Sequence, residues 1–163
     1  MKNNIAFIGM PGCGKSTIGS IVAEKINYKF IDMDKFIEEK EGKTVKELFK
    51  VSEDHFRAIE TKACELLSNE ESIVIACGGG VIKNSKNIEF LRKNSTIVFI
   101  DRPVENIISD IQCAHRPLLA NGTDILYKLY NERYNLYSGS CDYKIENTGS
   151  VDEFLSKIDS ILI

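Results

Sequence analysis

Ile5-Ala6-Phe7-Ile8-Gly9-Met10-Pro11-Gly12-Cys13-Gly14-Lys15-Ser16 sets an unbroken apolar run against a glycine-rich turn and, from Lys15, the start of a helical pattern. Four apolar residues without alternation read as a strand buried on both faces, as in parallel sheets. From Gly9 onward the segment fits G-x-x-x-x-G-K-[ST] in full. Glycines let the backbone curl until its N–H groups point at one place, and the following helix adds the positive end of its dipole there. Phosphate oxygens are the expected occupant, cradled by the loop backbone at Gly12, Cys13 and Gly14 and at Lys15, Ser16 and Thr17. The Lys15 ammonium would reach the β- and γ-phosphates, and the Ser16 hydroxyl would ligate Mg²⁺. A plain glycine turn between strand and helix is the alternative, but here the predicted context is the one the motif requires.

On either side the same alternation continues. Residues 15–26 read as a helix, with Ile18, Ile21, Val22 and Ile26 on one stripe. Lys29-Phe30-Ile31 is a second strand, cut off by Asp32-Met33-Asp34. Thr44-Val-Lys-Glu47 is a capping box that opens a helical stretch through Leu67. Residues 72–76 form a third strand, followed by Gly78-Gly79-Gly80, and residues 96–100 a fourth, with Pro103 placed to open the next helix. A helix carrying Leu126, Leu129, Tyr130 and Arg133 precedes a short strand near Tyr143-Lys144-Ile145. Ser150-Val-Asp-Glu153 is a second capping box before a closing helix. Strands alternating with helices make an α/β fold with a parallel sheet covered on both faces. Ligands bind such sheets beyond the carboxyl ends of the strands, where the glycine-rich and acidic segments should converge.

The 163 residues fit one domain. A net charge of -3 lacks the dense basic face that nucleic-acid backbones demand, so any anion site must gather its Lys and Arg locally. No apolar stretch is long enough to span a bilayer, and the N-terminus shows no secretory signal pattern. Five cysteines without a C-x-x-C pair read as free thiols in a reducing compartment, the cytosol. His55 and His115 lack zinc-site spacing and read as surface or hydrogen-bonded residues.

Beside a phosphate loop, two carboxylates at a strand end can divide labour. In an extended segment Asp32 and Asp34 face the same way, so one can support the Mg²⁺ shell while the other accepts a hydrogen bond from an attacking hydroxyl. Acids are also common at helix N-termini, which is the alternative. Arg57 and Glu60 lie three apart on a helix, either serving a site or forming a surface ladder with Glu53. Arg57, Arg92, Arg102, Arg116 and Arg133 are the chain's only arginines, so there are few candidates for a carboxylate fork or for a charge on a transferring phosphoryl group. The triple glycine permits a ligand to approach the backbone closely. Cys13, beside a helix N-terminus and Lys15, is either a low-pKa thiol that nucleotide would shield, or a small residue turned into the protein.

Together these segments resemble the shikimate kinase family over nearly the whole chain. The resemblance rests on the loop from Gly9 to Ser16, Asp32-x-Asp34, Phe56-Arg57-x-x-Glu60, Gly78-Gly79-Gly80, Arg116-Pro117-Leu118-Leu119 and Arg133-x-x-Leu136-Tyr137. It implies a three-layer P-loop kinase fold like that of nucleoside monophosphate kinases, with a five-stranded parallel sheet and a mobile lid. It implies one domain over 1–163, substrate-binding helices at about 33–68 and a lid at about 110–121. The implied reaction is MgATP-dependent phosphorylation of the 3-hydroxyl of shikimate, on the path to aromatic amino acids, by a cytoplasmic monomer without nucleic-acid or membrane partners. Arg57 and Arg133 would hold the shikimate carboxylate, and Gly79 and Asp34 its ring hydroxyls. Lys15, Ser16 and, through water, Asp32 would serve the phosphates and Mg²⁺. Arg116 would descend with the lid onto ATP and the developing charge, so that Lys15, Asp34 and Arg116 form the catalytic set. The chain departs from the pattern twice. Ile108-Ser109-Asp110-Ile111-Gln112 has no arginine where family members often place one against adenine, and Asn135 stands where they usually have proline. A kinase for gluconate or a nucleotide, and an ATP-binding module without turnover, are the rival expectations.

Overall fold

The computed structural model describes residues 2–113 and 122–162. Five strands, β1 (Asn4–Ile8), β2 (Lys29–Asp32), β3 (Ile73–Ala76), β4 (Ser95–Asp101) and β5 (Tyr143–Glu146), form one sheet in the order β2-β3-β1-β4-β5. Every pairing is parallel. β1 and β3 are buried along their whole length, which accounts for their unbroken apolar sequences, whereas in the edge strand β2 only Ile31 is buried.

The helices are α1 (Lys15–Lys25), α2 (Met33–Glu41), α3 (Val45–Val51), α4 (Glu53–Leu67), α5 (Ser85–Arg92), α6 (Val104–Cys113), α7 (Asp124–Ser140) and α8 (Val151–Leu162). From β1 the chain crosses over β3 to reach β2, and every later crossover runs back in the opposite direction. Right-handed crossovers of opposite sense lie on opposite faces, so α1 covers one face and α2 to α7 the other. Contacts agree with this: α8 touches α1, while α4 meets α2 and α5, and α7 meets α6 and β4. Phe7, Phe99 and Tyr137 are among the largest fully buried side chains, and Phe99 stacks on Tyr137 at 5.1 Å between centroids.

The Thr44 capping box forms as expected. Thr44 Oγ1 accepts from Glu47 N at 3.1 Å, and Thr44 N donates to Glu47 Oε2 at 2.8 Å. The helical stretch expected from there through Leu67 is nevertheless two helices. Ser52 is extended (φ -174°, ψ 162°), and its hydroxyl accepts from His55 N at 2.9 Å, so it ends α3 and caps α4. Two short helices, α2 and α5, lack a periodic apolar stripe long enough to read from sequence. Asp32 caps the first of them and Asn84 the second.

Register sets up the site. Phe7 and Asp32 both lie opposite Ala76, so β1, β2 and β3 end level and release the phosphate loop, Asp32 and the triple glycine at one edge of the sheet.

Candidate active site

Between β1 and α1 the loop turns through Gly9, Gly12 and Gly14, all at positive φ. Gly14, at φ 103°, directly precedes the helix, where a side chain would be strained. Lys15 is 9% exposed, and its ammonium folds into the loop, donating to Gly9 O and Met10 O at 2.8 Å each. Its charge therefore lies inside the cradle. The Cys13 side chain is fully buried, with Sγ 3.7 Å from Lys15 Nζ. Of the two readings of Cys13 the structure has the small residue turned into the protein, not the accessible thiol: the strand-to-helix turn points its side chain into the core, leaving its backbone for the loop. Burial pushes the Cys64 and Cys77 thiols up, and the four described cysteines are free.

Asp32 and Asp34 do not share an extended face. The strand stops at Asp32, whose Oδ1 accepts from Lys35 N at 3.2 Å as the N-cap of α2, and Asp34 lies in that helix's first turn. Capping decides this, because a carboxylate three residues before a free N–H favours helix over a further extended residue. The two acids separate as a result. Asp32 Oδ2 accepts from the Ser16 hydroxyl at 3.0 Å, whereas Asp34 turns toward Gly78. A hydroxyl and a carboxylate side by side beneath a phosphate cradle suit Mg²⁺, which takes one or two protein oxygens and completes its shell with water and phosphate.

A pocket of about 150 Å³ lies beside the loop, sharing Pro11 with it and lined by Asp34, Arg57, Glu60, Gly79 and Arg133. Each glycine of the triplet is pressed against one of these groups. A Cβ on Gly78 would come within 3.2 Å of both Asp34 Oδ1 and Glu60 Oε2. One on Gly79 would meet Pro11 at 3.0 Å and Arg133 Nη1 at 3.3 Å, and one on Gly80 would overlap the Arg57 guanidinium. Arg57 forms the ladder with Glu53 and Glu60 and also lines the pocket. It donates Nη1 to Glu60 at 2.9 Å and Nε to Glu53 at 3.4 Å, while its plane lies 5.3 and 5.5 Å from the Phe56 and Phe49 ring centroids. Its Nη2 edge is left for a ligand. Among the described residues Arg133 has no ion pair; its guanidinium lines the pocket beside Gly79 and the Tyr137 hydroxyl.

Glu60 is 1% exposed, and its Oε2 has no hydrogen-bond partner. Burial raises its pKa, against the opposing pull of Arg57. Burial also raises that of Asp34, helped by the charge of Asp32 and opposed by Lys15 and Arg57. Tyr137 donates its hydroxyl to Gly79 O at 2.6 Å, tying the triplet to α7; burial pushes that phenol up to about 12, although the Arg133 charge acts the other way. Sequence reasoning assigned no site role to Tyr137, Phe49 or Pro11, and no specific role to Glu60. Glu60 and Tyr137 stand in the quoted motifs, but an i, i+3 acid and a helical tyrosine have commoner structural uses.

The structure thus brings Lys15, Ser16 and Asp32 together at the loop, and Asp34, Arg57, Gly79 and Arg133 at the neighbouring pocket. Arg116 lies outside the described residues. Of the expected lid, residues 110–113 are the end of α6 and residues 114–121 lie outside the described residues. Asn135 is exposed within α7, which continues unbroken beyond it to Ser140.

A shikimate kinase family model matches residues 11–162. A shikimate kinase of Clostridium botulinum (strain Alaska E43 / Type E3) is 50% identical over 163 residues, covering 100% of this chain and 99% of the relative. The structure of shikimate kinase from Acinetobacter baumannii in complex with shikimate superimposes with a TM-score of 0.88 at 33% identity, covering 99% of this chain and 93% of that one. A gluconokinase from Sinorhizobium meliloti 1021 has a TM-score of 0.65 at 16% identity over 99% of this chain and 95% of that one, a likeness of fold alone. With its family model, a full-length relative and a close structural match all in agreement, the chain belongs to the shikimate kinase family.

Proposed function

We propose that this chain transfers the γ-phosphoryl group of ATP to the 3-hydroxyl of shikimate, giving shikimate 3-phosphate and ADP. The observation that carries the reading is the meeting of two guanidiniums, Arg57 with its Nη2 unpaired and Arg133, with the Asp34 carboxylate in one pocket beside a phosphate loop. Such a pocket suits a small ring that bears one carboxylate and several hydroxyls. Arg57 and Arg133 grip the carboxylate, Gly79 and Asp34 meet ring hydroxyls, and Asp34 takes the proton of the attacking oxygen. The loop backbone from Gly12 to Thr17 and the Lys15 ammonium orient the phosphates in line with that oxygen. Ser16 and, through water, Asp32 would hold Mg²⁺, which when bound shields charge on the β- and γ-oxygens. Arg116 adds positive charge to the transferring group. We read residues 1–163 as one kinase domain of a cytoplasmic monomer, with acceptor helices at about 33–68, a lid at about 110–121, ATP and shikimate as partners, and neither nucleic acid nor membrane. Among the described residues no helix is long and apolar enough to cross a membrane.

A coupled ADP-release assay with MgATP and a panel of acceptors tests the reading. Turnover with shikimate, and little with gluconate or nucleoside monophosphates, is the expected result. Turnover with either rival and none with shikimate would overturn it, and silence with every acceptor would favour a binding module.

The triplet makes its own prediction. Gly80→Ala forces Arg57 off its seat and leaves Glu60 buried without its partner, a loss on the order of 1–3 kcal/mol. The melting temperature should drop by several degrees and shikimate affinity should fall with it, both read by calorimetry. An unchanged melting temperature together with unchanged affinity would show that Arg57 is not seated against Gly80.

A further inference from the structure

Two adjoining hollows border the phosphate loop. One, of about 480 Å³, extends from Lys15 and Ser16 to Ile107 and Ile111. The other, of about 220 Å³, lies between Arg102, Asn147, Gly149 and Val151. Gly12, Gly14, Thr17 and Asp110 line both. A nucleotide with its phosphates on the loop has these two spaces in which to place its base. The segment 108–112 offers no arginine to cover that base, and among the described residues lining the two hollows Arg102 is the only arginine.

Arg102 is held unusually firmly for a residue in a loop. Its Nε and Nη2 donate to Asp110 Oδ2 and Oδ1 at 2.8 and 3.0 Å, a two-pronged pair, and Nη1 donates to Asn147 O at 2.6 Å. The Asn147 side-chain amide donates in turn to Cys13 O at 3.0 Å, which ties this assembly to the phosphate loop itself. The Arg102 side chain is 14% exposed, while that of Asp110 is 53% exposed. With each of its nitrogens already donating to the protein, the guanidinium has little left to offer a phosphate. It offers its flat face, set in one orientation before any ligand arrives. Asp110 also neutralises the charge, so the hollow favours an uncharged aromatic ring over a further phosphate group. The carboxylate stands within the very segment where an arginine is missing, and it holds in place an arginine from the end of β4.

We infer that Arg102, held by Asp110 and by the Asn147 carbonyl, is the platform on which the base of ATP stacks. This rests on the reading of the loop as an ATP site. It makes Arg102 a specificity-determining residue for the nucleotide, and Asp110 and Asn147 the residues that position it.

Titration calorimetry with MgADP and with magnesium tripolyphosphate, which has no base, tests the inference. Arg102→Ala should weaken MgADP about tenfold, within what stacking on a side chain supplies, and leave tripolyphosphate unchanged. Arg102→Lys keeps the charge without the plane and should remain weak for MgADP. Asp110→Asn, a change at an exposed side chain that leaves Arg102 with a poorer fork, should weaken MgADP by a smaller factor, again without touching tripolyphosphate. Equal losses for both ligands in the Arg102 and Asp110 variants, no loss for MgADP in Arg102→Ala, or full recovery by lysine would each overturn the platform. If Arg102→Ala does not fold, the Asp110→Asn comparison decides by the same criterion. Wild-type protein that bound neither ligand would remove the ATP reading and this inference with it, whereas the first three failures leave the ATP reading standing.

Discussion

Asp34→Asn is expected to slow turnover by about 10²–10⁴-fold, the range for losing a positioned proton acceptor, while both substrates still bind. The amide keeps the shape of the carboxylate and can still meet a ring hydroxyl, but it cannot accept the proton as the oxygen attacks. Stability should move the other way or stay level. Burial, then the Asp32 charge and that of Glu38, raise the Asp34 pKa against the opposing charges of Lys15 and Arg57, so ionised Asp34 is less welcome in the folded chain than in the unfolded one. That cost is absent below the unfolded pKa and grows as pH rises through the folded one; an amide never incurs it. The expected result is therefore a deep loss of kcat with a melting temperature no lower than wild type. In wild type, kcat/KM for shikimate should fall on the acid side with a midpoint above the ordinary aspartate range, because the ionised form is the working one. Glu60 faces the same pocket with a raised pKa, so Glu60→Gln provides the control that the acid limb belongs to Asp34. Wild-type turnover in Asp34→Asn, or an unaltered acid limb, would remove Asp34 from proton transfer.

Arg57→Ala and Arg133→Ala should each weaken shikimate binding by about 1.5–3 kcal/mol, roughly 10- to 150-fold, and leave ATP binding nearly unchanged. The two should differ in stability. Arg57 neutralises the 1%-exposed Glu60, so its removal strands a buried carboxylate and lowers the melting temperature. Arg133 carries no ion pair among the described residues and acts on Glu60 only as a minor charge, so its removal should lower the melting temperature less than that of Arg57. Calorimetric titration and thermal melting read both quantities. Equal loss for ATP and shikimate would mark a folding role, and unchanged shikimate affinity would detach that arginine from the acceptor.

Much of this fold was legible along the chain because its signals are local. The apolar runs of β1, β3 and β4, the complete phosphate-loop motif and the Thr44 capping box each announce themselves within a few residues. Ser52 shows where such reading fails. One serine hydroxyl capping His55 N splits a stretch whose apolar period continues across the break. The separation of Asp32 from Asp34 was hidden for a related reason, since the same two acids fit a strand end or a helix start and the cap at Lys35 N decides. The direction of the Cys13 side chain and the open valence at Glu60 Oε2 depend on elements far away in sequence. So does the joining of Arg102 to Asn147, 45 residues on, which no spacing rule would propose.

Phosphorus–proton correlation NMR on the product of wild-type protein, MgATP and shikimate reports the acceptor atom itself. The account predicts one new phosphate monoester coupled to the proton on carbon 3 of shikimate, formed in step with ADP. A phosphate coupled to a different ring position, or ADP appearing with inorganic phosphate and no phosphorylated shikimate, would contradict it.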